Sequence, residues 1–334
     1  MKKVLATALA VLSAIVSFAD APSVTDVVAK QRYPWNGLVD ITCTVSDVEG
    51  VDGETWFSVA AVMPGSGATR RASHFSVVGS TDHQVRTNGN YQLLWDARTD
   101  LGQVSYSNMI VRVNVVVRKK IQLWKDGPYW ADANIGAELP SDPGYYFWWG
   151  DTVGYVRANN AWVASDGSTN NFSFVELIAS TYNMNKDELK KKGWITSAGV
   201  LTLDHDAAHE QWGGKWRMPT HEEWGTVEEQ CDYTWTTQNG VYGCLVRGKG
   251  DYAAASIFLP AAGWGNEKDL FDNADASKPM GYYWSSEPRD NNSTTAKDLC
   301  FYNSEISIIG FAWTRDYYKR YYGLPIRPVQ SPGQ

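Results

Sequence analysis

Aromatic residues are spread very unevenly along this chain. Of 16 Trp and 18 Tyr in 334 residues, the first 120 positions hold three of each. The remaining thirteen Trp and fifteen Tyr follow Lys119-Lys120. Trp and Tyr are large rings with one polar handle, suited to cores and to half-wet binding surfaces. A step of this size marks two halves with different cores. It predicts a domain boundary near residue 120, in line with one domain per ~100–200 residues.

The first half, residues 20–120, reads as strands. Leu38 to Val45 alternates polar residues with Ile41, Cys43 and Val45, and Trp56–Val62, Phe75–Val78, Tyr91–Trp95 and Met109–Val117 follow. Gly50-Val51-Asp52-Gly53 and Thr87-Asn88-Gly89-Asn90 break the runs. Short strands at this spacing predict a small all-β sandwich. Cys43 is its one cysteine, so it has no internal disulfide. Arg70-Arg71 reads as a solvated basic pair, and no catalytic constellation stands out.

Ahead of the sandwich, Lys2-Lys3, the apolar run Val4–Val16 and Ser17-Phe18-Ala19 have the order of a secretory leader. The run is too short to span a bilayer, and the expected cut follows Ala19. No later segment is apolar enough to insert in a membrane, which predicts a secreted or periplasmic, bacterial protein. The net charge is −7, or −9 once Lys2 and Lys3 are removed. That balance argues against nucleic acid and against anionic membrane surfaces as partners.

In the second half, residues 121–330, local signals are specific. Thr220 followed by Glu223 is a capping box at a helix start. Asn239-Gly240 between Trp235 and Val246 is a hairpin turn. Ile257-Phe258-Leu259 reads as a buried strand that stops near Pro260. Residues 153–205 and 264–281 read as loops with short helices, such as Met184 to Lys192. Arg217 and Arg327 read as structural cations, each pairing a carboxylate or capping carbonyls.

Two resemblances follow from these words. Tyr33-Pro34-Trp35-Asn36-Gly37-Leu38-Val39-Asp40 and Leu94-Trp95-Asp96-Ala97 resemble an immunoglobulin-like module that precedes sulfatase-modifying-factor-type domains in secreted bacterial proteins. That resemblance implies a spacer or docking module. In the second half come Trp130-Ala131-Asp132-Ala133-Asn134-Ile135-Gly136, Gly144-Tyr145-Tyr146-Phe147-Trp148-Trp149-Gly150 and Trp212-Gly213-Gly214-Lys215-Trp216-Arg217-Met218-Pro219-Thr220. Then follow Tyr283-Trp284-Ser285-Ser286 and Gly323-Leu324-Pro325-Ile326-Arg327-Pro328-Val329. This order of words resembles the Fibrobacter succinogenes major paralogous domain family. The resemblance implies an α+β C-type-lectin-like domain, the fold also found in formylglycine-generating enzyme, and it brings no catalytic residues with it.

Several residue groups invite a function. Trp313, Arg315, Asp316, Tyr317, Tyr318, Lys319, Arg320, Tyr321 and Tyr322 crowd before the last strand. Tyr, Trp and Arg dominate binding hot spots. In relatives of the lectin-like fold the ligand loops fall in this region. The expected ligand site is therefore Trp313, Arg315, Asp316, Tyr317, Tyr318, Arg320 and Tyr321, although core packing explains any single ring equally well. Glu287, Asp290, Asn292 and Asp298 offer oxygen ligands of the type calcium takes, loosely similar to those of calcium-dependent lectins. A plain polar loop explains them too. His205 and His209, at i and i+4 around Asp206, have the spacing of a zinc-hydrolase helix but lack a marked third ligand. Cys300 stands alone where formylglycine-type chemistry needs a cysteine pair. Cys231 and Cys244 flank the hairpin and could form a bridge, although the turn places Cys244 nearer Trp235 than Cys231.

The function these features favour is a secreted, non-enzymatic protein that binds a glycan or a cell-surface protein through loops 286–298 and 311–322. A metal hydrolase, an oxidase-like enzyme and a structural component of a cell-surface assembly are the alternatives.

Overall fold

The protein is described here by a computed structural model, which describes residues 21–33, 36–63, 69–72, 74–80, 83–102, 109–158, 160–166, 168–271, 279–290, 292–303, 308–309 and 318–332. It is mostly β-sheet with few helices.

In the first half the strands are β1 (Ser23–Gln31), β2 (Leu38–Ser46), β3 (Glu54–Val62), β4 (Thr69–Arg71), β5 (Phe75–Val77), β6 (Gln84–Val85) and β7 (Gly89–Asp96). A single turn of helix, α1 (Ala97–Leu101), and β8 (Ile110–Arg118) complete it. One sheet has the order β1-β2-β7-β5. In the other, β3 pairs with β8 along its whole length and with β4 and β6 on its opposite edge. Alternation sets the faces. Val39, Ile41, Cys43 and Val45 of β2 meet Phe57, Val59 and Ala61 of β3 in one core, closed by Leu93 and Trp95. Asp100 in α1 receives the Trp95 indole N–H at 2.6 Å, which satisfies that ring's polar handle inside the core.

The second half is less regular. Its first elements are β9 (Lys120–Gln122), β10 (Tyr129–Ala131), β11 (Tyr155–Ala158) and β12 (Ala161–Ala164). The helices are α2 (Lys186–Lys191), α3 (Ala207–Trp212) and α4 (His221–Gln230). The hairpin β13 (Cys231–Gln238) and β14 (Val241–Gly248) turns through Asn239 and Gly240, both at positive φ, and β14 pairs on with β15 (Ser256–Pro260). Then come β16 (Trp264–Asn266), β17 (Asp269–Phe271), β18 (Met280–Pro288), β19 (Ala296–Asn303), β20 (Ile308–Ile309) and β21 (Val329–Gln330). The last strand returns to pair with β10, Trp130 opposite Val329, so the two ends of this half meet in one ladder.

The expected short helix at Met184 to Lys192 is α2, narrower because Asn185 caps it in a box with Glu188. Thr220 and Glu223 form the expected box on α4. The hairpin register places Cys244 opposite Trp235 and Cys231 opposite Gly248, and both cysteines are buried free thiols.

Most tryptophans of this half build the core. Trp130, Trp149, Trp162, Trp212, Trp216, Trp224 and Trp284 are all buried. Long loops between them are tied by side chains rather than by ladders. Arg327 is fully buried and donates to the Asn134 Oδ1 and to the carbonyls of Ala131 and Phe258 at 2.8–3.0 Å. Arg217 pairs with Glu223 through two hydrogen bonds of 2.5 and 2.8 Å. Both arginines have the structural roles expected from the sequence.

The halves touch. Lys119 is the single residue between β8 and β9. Trp56 lies on β3 of the sandwich, yet its ring packs into the core of the second half with Ala207, Trp212 and Trp216. Gly213 and Gly214 both take positive φ and carry the chain over this ring. A Cβ on Gly214 would come within 3.1 Å of the indole at a φ of +60°, so a side chain there is strained in its backbone and crowds the ring.

Candidate functional site

Two glycines create the most distinctive surface. Gly265 on β16 and Gly323 exchange backbone hydrogen bonds of 2.7 and 2.9 Å. A Cβ on Gly323 would lie 2.4 Å from the Phe174 ring, and one on Gly265 would lie 2.8 Å from it. Lacking Cβ atoms, the two segments close over Phe174 and bring their aromatic neighbours together. Trp264 and Tyr322 then meet with ring centroids 4.6 Å apart.

Other rings extend the contact. Phe271 stacks on Trp264 at 4.4 Å, with an interplanar angle of 12°. Tyr318 packs on Tyr282 at 4.3 Å and edge-on to Trp264 at 5.9 Å. Tyr321 packs edge-on to Tyr322 at 4.8 Å and to Tyr182 at 5.3 Å. Phe271 is 45% exposed. Trp264, Tyr318, Tyr321, Tyr322 and Tyr182 are half-buried. Burial raises the phenols of Tyr182, Tyr318 and Tyr321, which keeps them neutral donors. The result is a run of rings with half-wet faces and neutral hydroxyls, chemistry that accepts an apolar C–H face and its polar substituents together.

Tyr318 and Tyr321, expected from the sequence, belong to this surface. Trp313, Arg315, Asp316 and Tyr317 lie outside the described residues. Arg320 requires a correction. The sequence predicts contact with ligand, but Arg320 is 0% exposed. Its guanidinium donates to the carbonyls of Thr295, Thr181, Met184 and Asn292 at 2.8–3.2 Å and lies 5.1 Å from the centroid of Trp149. It fastens three loops together beneath the tyrosines and has no face left for a ligand.

The expected calcium ligands are engaged with protein groups. Asp290 pairs with Lys186 at 2.6 Å and Lys297 at 3.7 Å, and the Lys186 hydrogen bond holds its carboxyl below the usual range. Glu287 accepts the backbone N–H of His221 at the start of α4. The Asn292 Oδ1 accepts the backbone N–H groups of Thr294 and Thr295 at 2.8 and 3.0 Å. Asp298 stands on β19 opposite Trp284. Among the described residues no three His, Cys, Asp or Glu side chains are grouped to hold a metal.

The histidine pair is also differently arranged from the sequence expectation. His205 and His209 do not share a helix face, because α3 begins only at Ala207. Asp206 is its N-cap, buried, accepting N–H groups from Ala208, His209 and Met218. His205 stacks on Trp194 at 3.7 Å. The Asp206 carboxylate is thus taken up by backbone N–H groups. Burial pushes the Cys231 and Cys244 thiols up to about 12, so neither is a ready nucleophile.

Tyr322, from the same aromatic crowd, completes the surface together with Trp264, Phe271 and Tyr182, to which sequence reasoning assigns no ligand role. The available signal was an aromatic-glycine pair repeated far apart, Trp264-Gly265 and Tyr322-Gly323. Compared with family models, curated proteins and solved structures, the chain matches none.

Proposed function

We propose that this is a secreted, non-enzymatic binding protein that recognises a glycan, or a cell-surface protein, through the aromatic surface around Trp264, Phe271 and Tyr322. In this reading an immunoglobulin-like sandwich carries a C-type-lectin-like domain. The paired sheets of the first half support the former. The joined chain ends and long tied loops of the second half support the latter. The leader-like residues 1–19 support export, and among the described residues no helix is long and apolar enough to cross a membrane.

The observation that carries the reading is the ring surface itself. Six aromatic side chains stay partly wet, although the neighbouring core takes in seven tryptophans completely or nearly so. Sugar rings present C–H faces to such surfaces while their hydroxyls pair with phenols and amides.

A glycan array probed with the full chain tests this, in calcium and in chelator, beside a Phe271→Ala/Tyr322→Ala variant. Binding that is specific and lost in the folded variant supports the glycan reading. Binding that survives the double substitution overturns the assigned surface. A blank array with retention on whole cells shifts the ligand to a surface protein.

A further inference from the structure

The ring surface is not electrically even: one end of it carries a carboxylate. We propose that its ligand is an amino-sugar oligosaccharide whose free ammonium group sits in the corner of Tyr182, Tyr321 and Tyr322 beside Glu176. This rests on the aromatic surface being a glycan site and names the class of glycan.

The corner is built from edge contacts. Tyr182 stands at 73° to Tyr321 with centroids 5.3 Å apart, and Tyr321 stands at 75° to Tyr322 with centroids 4.8 Å apart. Rings set nearly at right angles form corners, whereas coplanar rings make a flat shelf. All three are half-buried, so each keeps part of its surface open. A cation within ~6 Å of a ring centroid is attracted by the negative π face, and a corner brings more than one ring within that reach.

Hydrogen-bonding capacity points the same way. The Tyr182 hydroxyl engages the Glu176 carboxylate, and the Tyr321 hydroxyl engages Tyr322. An ionised carboxylate only accepts, so the Tyr182 hydrogen is already shared with it. What the corner still offers is mainly acceptors, the lone pairs of the carboxylate and the phenols. An ammonium group matches them, with three donors and no acceptor. Glu176 is exposed, and its charge reaches both Tyr182 and Tyr321. The two cations that lie among the ring residues in sequence are engaged elsewhere: Lys319 donates to the Thr294 hydroxyl at 3.1 Å, and Arg320 to its four carbonyls. A chain of net charge −7 also favours the approach of a cationic ligand over an anionic one.

The extent of the surface selects the rest of the ligand. From the corner the rings continue, Tyr322 to Trp264 at 4.6 Å and Trp264 to Phe271 at 4.4 Å. Five rings in unbroken succession exceed the face of one sugar, and a lone lysine side chain would use the corner alone. An oligosaccharide with its amine beside Tyr182 and its C–H faces toward Phe271 uses the whole run.

The test compares three β-1,4 tetrasaccharides that differ only at carbon 2: the glucosamine tetramer with free amines, its N-acetylated form, and cellotetraose with hydroxyls. Calorimetry on the full chain is run at mildly acidic pH, where sugar amines are charged. The glucosamine tetramer should bind about tenfold more tightly than cellotetraose, an advantage that shrinks as salt rises. Glu176→Gln should cut that advantage to about threefold or less, because the carboxylate is lost while the π faces remain. Phe271→Ala should weaken all three tetramers. Tetramers that bind without preference for the amine, or a preference untouched by Glu176→Gln, overturn this proposal and leave the aromatic glycan site in place. Absence of binding by every tetramer overturns it as well, and the glycan array then decides the wider reading. A tetralysine peptide bound as tightly as the glucosamine tetramer overturns the sugar assignment in favour of a lysine-bearing protein.

Discussion

The sandwich and the second half solve the same problem by different means. The sandwich satisfies its backbone through long ladders, such as the nine-residue register of β3 with β8. Its core follows from alternation along each strand. The second half has many strands of two to five residues, and buried side chains hold its loops together. Arg320 alone gathers four carbonyls, and Arg327 gathers two carbonyls and an amide oxygen. Neither has a carboxylate among these partners. Ladders tolerate loss of one side chain, because the backbone keeps its hydrogen bonds. A guanidinium hub does not, because its removal leaves several buried acceptors without donors, each costing about 1–3 kcal/mol.

Arg327→Met should therefore have the largest effect, more than about 3 kcal/mol, confined to the second half. Tryptophan fluorescence reports mainly that half, with thirteen of 16 tryptophans, while residual far-UV dichroism follows the sandwich. The expected outcome is two separated unfolding transitions. One shared transition at reduced stability would break the contrast between the halves.

Trp56→Ala comes next. It should cost roughly 3–5 kcal/mol, the range for losing a buried aromatic ring. Although Trp56 sits on a sandwich strand, its ring belongs to the other core, so the loss should appear in the fluorescence transition. A shift only in the sandwich transition would place the ring's contribution on the wrong side.

A pH profile sharpens the contrast further. Burial raises the Asp151 carboxyl from 3.8 to about 7 and that of Asp206 to about 6. Both lie in the second half. A carboxyl raised on folding binds its proton more tightly in the folded state, so its contribution is full below about 4 and fades as pH rises through 6 to 7. Stability of the second half should fall over that window, and Asp151→Asn should flatten the profile. A profile that rises with pH would refute the assignment. The smallest effect is expected from Thr220→Ala, about 1 kcal/mol from loss of the α4 cap, measured as a shift in the denaturant midpoint.

The sequence revealed those features whose cause is local. Thr220 with Glu223, Asn239-Gly240 and the alternation of β2 each act within a few residues, and each appears at the expected place. The first strand, Ser23–Gln31, is not legible in the sequence because it lies at a sheet edge and buries little of either face. Its alternation is broken at a bulge between Thr25 and Val28, where Asp26 takes a positive φ. Arg320 departs from its sequence expectation for the opposite reason. Its chemistry is strong but its partners, at Thr181, Met184, Asn292 and Thr295, come from loops more than 100 residues apart in the chain. The ring surface was half legible: Tyr318 and Tyr321 stand in a visible crowd, whereas Trp264 and Phe271 reach it only through the Gly265–Gly323 pairing.

The lone residue between β8 and β9 has a mechanical consequence. A tether of one amino acid, with Trp56 plugged into the neighbouring core, leaves no slack. Whatever anchors the sandwich thereby sets the direction in which the aromatic face points, as a bracket sets the angle of a lamp. With the indole seated in the neighbouring core, turning one half turns the other.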